Sequence, residues 1–243
     1  TILKLKTLSI DEINLQRSFP LNFFDHIERL DIPFSYIMRP DNGLEDEYDF
    51  LDFDELILKL NPKIFKRMYI KYPHFPERYW MTGNLKDLKI LSQLEELELT
   101  IGMEGDLSSL SGLHQLVHIS IDCEEAFSEV HEDDYSLITG NLSCLSNLIN
   151  LKTLIISDFN ISGNVSSLSS LKKLEVINIS KNIQLTGDIC AFSTMINLKS
   201  LIIGRTEIFG DLTSLSSLTQ LISLNCDDTK VIGNVGSFLS KRR

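Results

Sequence analysis

The sequence predicts an α/β solenoid built from short tandem repeats, with a parallel β-sheet and short returning segments. Three observations carry this prediction: a glycine step that recurs at nearly fixed spacing, apolar residues at fixed offsets from each glycine, and enough apolar material for a core. The chain has 243 residues, of which 43% are hydrophobic, and no apolar run approaches the length of a spanning helix.

The repeat begins with a glycine that is followed by Asp or Asn and then by an aliphatic residue. The intervals between successive steps are 22, 35, 23, 24, 23 and 23 residues. Apolar residues stand at offsets 2, 5, 8, 11, 14 and 16 in all six complete units, and another precedes each glycine by two positions. The seven glycines are Gly83, Gly105, Gly140, Gly163, Gly187, Gly210 and Gly233.

The offsets combine two periods. Offsets 14 and 16 have period two, which predicts a short strand with both side chains on one face. Offsets 2 to 11 have period three, which favours a 3₁₀-like or irregular return over an α-helix. A unit of about 23 residues buries no core alone, so neighbouring units are expected to stack. The glycine suits a turn with positive φ or close approach, and the Asp or Asn suits bonding to local amides.

The strand segments share an L-x-x-L-x-L core, which resembles that of the leucine-rich repeat family and its short-repeat bacterial members. Residues 81 to 239 carry the resemblance. It implies a right-handed leucine-rich-repeat solenoid with a parallel concave β-sheet and short 3₁₀ or irregular convex returns. The family's Asn after the strand appears only as Asn182, and Thr206 and Thr229 occupy equivalent places where a hydroxyl can bond similarly. Clear copies of the core begin at Leu94, Leu151, Leu174 and Leu198.

Residues 1 to 80 are interpreted as irregular repeats or a cap, and residues 81 to 243 as regular repeats of one continuous solenoid. Upstream strand cores are expected at Leu3-x-Leu5, at Leu30-x-Ile32 and at Met68-x-Ile70. This section contains 14 of the 20 aromatic residues, as expected where an irregular end fills a wider core. A separate N-terminal domain is the alternative.

The outward strand positions of successive units should line up as a binding strip. Offset 17 is included as outward, which adds Ser157, Ser180 and Gly204 to the strip. Its centre is mildly apolar, and exposed aliphatic residues there indicate a contact patch, although ordinary β-propensity on a solvated face is the alternative. The candidate partner-binding residues are Arg67, Tyr69, Lys71, Glu96, Glu98, Thr100, His118, Ser120, Asp122, Ile155, Val176, Asn178, Ile202, Asn225 and Asp227.

Charge is distributed unevenly along the chain. Residues 1 to 139 hold 27 acidic and 13 basic side chains, whereas residues 140 to 243 hold 7 and 10, so the net charge of −11 divides into −14 and +3. This balance argues against a nucleic-acid binder. Two acidic insertions, Asp41 to Glu55 and Glu124 to Leu137, lie between strands on the same side and either meet a basic partner or are simply solvated.

Catalytic motifs for nucleotide binding, zinc hydrolysis or serine catalysis are absent from the sequence. No cofactor or metal site is expected, and the four cysteines are expected to be reduced and packed as small hydrophobes. No targeting segment is recognised, which leaves the compartment open.

The predicted function is a non-enzymatic scaffold that binds a protein or peptide, with a basic partner as one option, through the concave sheet and the flanking acidic loops. The alternatives are the recognition segment of a larger enzyme or secreted effector, or a structural surface protein.

Overall fold

The computed structural model describes residues 6–9, 24–32, 53–70, 82–100, 102–121, 138–234, 236 and 238. These residues form two sheets, each made of parallel strands, and short helical segments connect the strands. None of the described helices is long and apolar enough to cross a membrane.

The first sheet has nine strands, and each strand pairs in parallel with the corresponding strand of the next unit. Leu97, Ile119 and Leu154 stand opposite one another and are fully buried, as the period-two offsets predict. The strands are β1 (Thr7–Ser9), β2 (Arg29–Ile32), β3 (Arg67–Ile70), β5 (Glu96–Leu99), β7 (His118–Ile121), β9 (Thr153–Ile156), β11 (Val176–Asn178), β13 (Ser200–Ile202) and β15 (Ser223–Asn225).

A second sheet has seven strands, each of which contains a glycine of the repeated step or ends directly before it. The sequence predicted only one strand in each unit, and that prediction was wrong. Most of these strands bury one apolar side chain, such as Ile161 in β10, so they give no alternating signal. The strands are β4 (Thr82–Asn84), β6 (Gly102–Asp106), β8 (Ile138–Asn141), β10 (Asn160–Asn164), β12 (Gln184–Asp188), β14 (Glu207–Asp211) and β16 (Lys230–Ile232).

The predicted 3₁₀ returns are confirmed as six short 3₁₀ helices. Each begins after the Asp or Asn of the glycine step, whose side-chain oxygen accepts a hydrogen bond from the backbone N–H two residues later, as Asp106 Oδ1 does from Ser108 at 2.8 Å. The helices are η1 (Leu85–Ile90), η2 (Leu107–Leu110), η3 (Leu142–Leu145), η4 (Val165–Leu168), η5 (Ile189–Phe192) and η6 (Leu212–Leu215).

Each glycine of the repeated glycine step from Gly105 onward packs against the preceding unit. Gly163 has a φ of 119°, and a Cβ placed there would lie 2.7 Å from Asn141 Oδ1. Gly187 has a φ of 120° and lies in the same way against Asn164. The glycine is therefore needed both for its backbone conformation and for its contact with the capping amide or carboxylate of the unit before it.

The N-terminal part differs from two sequence predictions. Residues 53 to 55, assigned to an acidic insertion, begin an α-helix, α1 (Phe53–Lys59). The first strand core was placed at Leu3 and Leu5, which lie outside the described residues. The register is set instead by β1, where Leu8 stands opposite Leu30.

The core is one continuous cluster that runs from Phe24 to Phe238. Asn182 is the fully buried amide of the ascending turn, and its Nδ2 donates to the carbonyl oxygens of Ile156, at 2.7 Å, and Ile179, at 3.0 Å. Thr206 donates its hydroxyl to Ile203 O at 2.7 Å. A threonine therefore substitutes for the usual asparagine, as the sequence suggested.

The cysteines do not follow the burial prediction. Cys144 and Cys226 are partly exposed, Cys190 is exposed, and all three are free thiols. Cys123 lies outside the described residues. The prediction failed because Cys144 and Cys190 occupy return positions between the buried offsets, and Cys226 follows β15, the last described strand of the first sheet, which has a neighbouring strand on one side only.

Candidate binding surface

Two rows of outward side chains cross the nine-stranded sheet. In each row, the outward residue of one strand stands opposite the outward residue of the next strand. With about 4.8 Å between neighbouring strands, each row is about 38 Å long from the first strand to the ninth. The first row is Thr7, Arg29, Arg67, Glu96, His118, Thr153, Val176, Ser200 and Ser223. The second row is Ser9, Asp31, Tyr69, Glu98, Ser120, Ile155, Asn178, Ile202 and Asn225.

The expectation that offset 17 forms a third outward row is wrong for three units. Ser157, Ser180 and Gly204 are buried, because the chain turns inward after the strand. Thr100 is half-buried and Asp227 is exposed at this offset. The predicted site residues Lys71 and Asp122 lie outside the described residues, as do residues 41 to 52 and 124 to 137 of the acidic insertions.

The N-terminal section of the strip contains charges that are paired with one another. Arg29 Nη2 lies 2.8 Å from Asp31 Oδ2, and the same guanidinium stacks over the Tyr69 ring with 4.6 Å between its central carbon and the ring centroid. Arg67 Nε lies 3.3 Å from Glu96 Oε1 on the next strand. These contacts neutralise much of the charge that the sequence assigned to this end of the surface.

A further charged row, just before the strands, was missed in the sequence. It forms ion pairs between neighbouring units: Lys6 with Glu28 at 2.9 Å, Lys66 with Glu95 at 2.8 Å, and Lys199 with Glu175 at 2.6 Å. Lys and Glu alternate at the position before the strand, first as Lys6, Glu28, Lys66 and Glu95 and again as Lys152, Glu175 and Lys199, and this alternation is the signal that would have revealed the row.

These pairs also shift the ionisation of their members. The hydrogen bond from Lys6 lowers the pKa of Glu28, the bond from Lys199 lowers the pKa of Glu175, and the bond to Glu95 raises the pKa of Lys66. Each shift favours the charged form, so these rows stay ionised near neutral pH.

The section on β9, β11 and β13 is uncharged, and we call it the neutral window. All six of its outward side chains are half-buried. Apolar residues occupy half of the positions, which matches the apolar centre and polar rim that protein interfaces share. The neutral window comprises Thr153, Ile155, Val176, Asn178, Ser200 and Ile202.

Charged residues border the neutral window beyond the ends of the strands. Asp158, Lys181, Arg205 and Asp228 follow the strands and have φ values of 63°, 60°, 55° and 53°. Lys181 Nζ lies 3.1 Å from Asp158 Oδ2, and Arg205 Nε lies 3.7 Å from Asp228 Oδ2. These four residues form a rim, which the sequence analysis did not identify because the left-handed backbone at each position comes from the turn.

Three further predicted site residues, Asn178, Asn225 and Asp227, make contacts within the chain. Asn178 Oδ1 accepts hydrogen bonds from the Ser180 N–H at 3.2 Å and the Ser180 hydroxyl at 2.7 Å. Asn225 Oδ1 accepts from the Asp227 N–H at 3.1 Å, and its Nδ2 donates to Asp227 Oδ2 at 3.2 Å. Asn225 and Asp227 therefore cap the strand end together.

Over the described ranges, no three His, Cys, Asp or Glu side chains are grouped so as to hold a metal ion.

Comparisons with known proteins identify the fold. No family model matches the chain, and no curated protein matches it. Among solved structures, the plant peptide hormone receptor RGFR1 in complex with RGF2 has 20% identity and a TM-score of 0.61, and the match covers 92% of this chain and 32% of the receptor.

Two internalins from Listeria monocytogenes are also similar. Internalin InlF has 19% identity and a TM-score of 0.60, and the match covers 96% of this chain and 58% of that protein. Internalin C2 has 19% identity and a TM-score of 0.52, with coverage of 98% and 77%. The chain thus spans about a third of the receptor and just over half of InlF. Together with the two parallel sheets, these matches show a leucine-rich-repeat solenoid.

Proposed function

Starting from the leucine-rich-repeat solenoid, we propose that this chain is a non-enzymatic scaffold that binds a protein or peptide ligand through its concave sheet and flanking acidic loops. The observation that carries the proposal is the pair of outward rows across nine strands, with half-buried aliphatic side chains at the centre. The candidate partner-binding residues are those predicted from the sequence, with the neutral window at their centre.

The rigidity of the surface supports a binding role. Every strand of the sheet is hydrogen-bonded to its neighbours, and the inward side chains between the outward rows are buried in a continuous core, except that Leu8 and Leu224 on the two end strands are partly buried against it. A surface whose backbone is already ordered loses little conformational entropy when a partner binds. The outward residues are therefore presented in fixed positions before any ligand arrives.

The acidic insertions extend the proposal toward the N-terminal units. The insertions of residues 41 to 55 and 124 to 137 come after β2 and β7 in the chain, two parallel strands whose carboxyl ends lie at the same edge of the sheet. Carboxylates there favour a partner that is basic on that side, and the attraction would raise the association rate. The neutral window then supplies the contacts that hold the partner.

A second candidate function follows from the lengths of the structural neighbours. Because the chain spans 32% of the receptor and 58% of InlF, it also fits the recognition segment of a longer protein. In that case the same surface binds the partner, and the additional activity lies in another part of the protein.

The proposal is tested by selecting binders from a displayed library of folded protein fragments. Binders are remeasured against Ile155→Asp with Ile202→Asp, against Glu96→Lys with Glu98→Lys, and against a chain with residues 124 to 137 replaced by a Gly-Ser linker. Thr186→Asp, on an exposed position of β12 in the other sheet, is the matched control.

We expect affinity losses of at least about tenfold in the window variant, smaller losses in the charge and loop variants, and none in the control. Thermal melts check that each variant is folded. Binders that tolerate all three changes in folded protein would show that the concave surface is not the binding site.

A further inference from the structure

We infer that the neutral window selects an uncharged segment in a polyproline-II-like conformation, with aliphatic side chains three residues apart. This inference rests on the proposed function and specifies its ligand class. It is carried by the charge, spacing and hydrogen-bonding capacity of the window.

The charge distribution excludes a charged segment at the centre. No outward side chain on β9, β11 or β13 is ionisable. A charged partner residue would lose water there without gaining a counter-charge, which disfavours its binding. In the charged row before the strands, Lys199 and Glu175 are paired with each other at 2.6 Å, and the exposed Lys152 precedes β9 outside the window. The segment that covers the window is therefore uncharged.

The spacing of two isoleucines selects the conformation of that segment. Ile155 and Ile202 both stand opposite Asn178, on the strands to either side, so about 9.6 Å separates their strands. A polyproline II helix repeats every three residues over about 9.3 Å, which matches two strand spacings. Side chains on one face of a β-strand repeat every 6.6 to 6.8 Å or so, which matches neither one strand spacing nor two.

The width of the window argues against a helix. The two outward rows are separated by two residues along each strand, or about 6.7 Å. An α-helix about 10 to 12 Å wide would extend over the flanking ion pairs, such as Glu175 with Lys199, and cover their charges. An extended segment of about four or five residues spans the three strands and stays within the uncharged area.

Asn178 supplies a polar contact between the two apolar ones. The Ser180 N–H fixes Oδ1 as the acceptor, which assigns Nδ2 as the donor. No described residue accepts a hydrogen bond from Asn178 Nδ2. The carbonyl groups of a polyproline II segment have no internal partners, so one of them can accept this bond. The window thus offers an apolar contact, an amide donor and a second apolar contact in a line.

The test uses a displayed library of random linear dodecapeptides selected on the whole chain. We expect the enriched peptides to share an uncharged core with aliphatic residues three apart. Synthetic copies should lose at least about tenfold in affinity for Ile155→Asp and for Ile202→Asp, and severalfold for Asn178→Leu. They should bind Thr186→Asp like the parent chain.

Asn178→Asp removes the amide N–H while keeping an acceptor for Ser180, so it tests the loss of the donor together with an added charge. We expect it to weaken peptide binding at least as much as Asn178→Leu, since it also places a charge in the window.

Enriched peptides that depend on Ile155 and Ile202 but have charged cores or another aliphatic spacing would overturn the inference while leaving the proposed function intact. A library that yields no peptide sensitive to the window substitutions would also overturn it. The proposed function fails separately, when folded-domain binders ignore every concave substitution.

Discussion

The regular units from β6 (Gly102–Asp106) onward and the N-terminal units before β4 are held in register by different means. In the regular units, a glycine with positive φ lies against the Asp or Asn cap of the preceding unit, as Gly163 does against Asn141. In the N-terminal units, aromatic side chains fill the core, with Phe24, Phe53 and Phe65 almost fully buried. The same parallel sheet continues through both.

The difference shows that strand stacking does not require the glycine step. Gly83 is the point where the two arrangements meet, since a Cβ there would lie 2.6 Å from Phe53 Cδ1 of α1. In the regular units, neighbouring turns pack backbone against backbone, whereas the N-terminal end closes the core with large side chains. The stability of the regular units should therefore be lowered most by substitutions that add atoms at the glycines, and that of the N-terminal units by substitutions that remove atoms from the aromatic side chains.

The largest expected effect is the loss of Phe53. Phe53→Ala should lower the free energy of unfolding by about 3 to 5 kcal/mol, because it leaves a cavity between α1 and the first glycine step. Urea denaturation measures the change. Leu58→Ala, on the same helix but with Leu58 73% exposed, should change stability by less than about 0.5 kcal/mol. Equal losses in the two variants would mean that Phe53 does not close the core.

Gly187→Ala tests the opposite sensitivity. Its Cβ would enter the space of the Asn164 side chain at a φ of 120°, so we expect a loss of about 3 kcal/mol. Gly112→Ala is the control, since a Cβ there meets no atom within 4 Å, and it should be neutral or slightly stabilising. A Gly187→Ala chain with the parent melting temperature would show that the cap contact does not set the register.

Asn182→Ala should have the next largest effect. It leaves the buried carbonyl groups of Ile156 and Ile179 without their donor, which we expect to reduce the free energy of unfolding by about 2 to 3 kcal/mol. Asn182→Thr should recover part of this loss, because Thr206 bonds a carbonyl at the equivalent position. Asn197→Ala removes an exposed amide bond to Lys172 O and is expected to change stability by about 0.5 kcal/mol or less in the same assay.

The fold was predictable wherever the same residue types recur at the same positions in every unit. The six apolar offsets and the glycine step specified the first sheet, the 3₁₀ returns and the cap contacts. The second sheet was not predictable from periodicity, since β12 buries only one apolar side chain, that of Leu185, and its other buried position is Gly187, which has no side chain. Helix α1 was missed because Phe53, Asp54 and Glu55 continue a run of acidic and aromatic residues that matched an insertion equally well.

The candidate surface was predictable in part for a similar reason. Alternation along a strand identified the two outward rows, including Ile155 and Ile202. It failed at Ser157 and Ser180, where the strand has ended and the next residue points inward. The ion pair of Arg67 with Glu96 and the contacts of Asn178 depend on distances between units, which no single repeat encodes.

The smallest expected effect is a difference in pH dependence between the two regions. In the repeat region, the Ser108 hydroxyl and N–H lower the pKa of Asp106, whereas at the N-terminal end the bond from Lys6 lowers the pKa of Glu28. A carboxyl group with a lowered folded pKa contributes stability that is present above its unfolded pKa, about 4, and is lost as pH falls through the folded value. Urea midpoints between about pH 7 and pH 2.5 should therefore fall less steeply in Asp106→Asn and in Glu28→Gln than in the parent.

Salt distinguishes the two variants, because an ion pair between exposed groups is screened and a local hydrogen bond is not. In about 1 M salt, the pH dependence of Glu28→Gln should become equal to that of the parent, whereas that of Asp106→Asn should still differ from it. Equal salt sensitivity of the two differences would mean that charge, and not cap geometry, determines the acid response of the repeats.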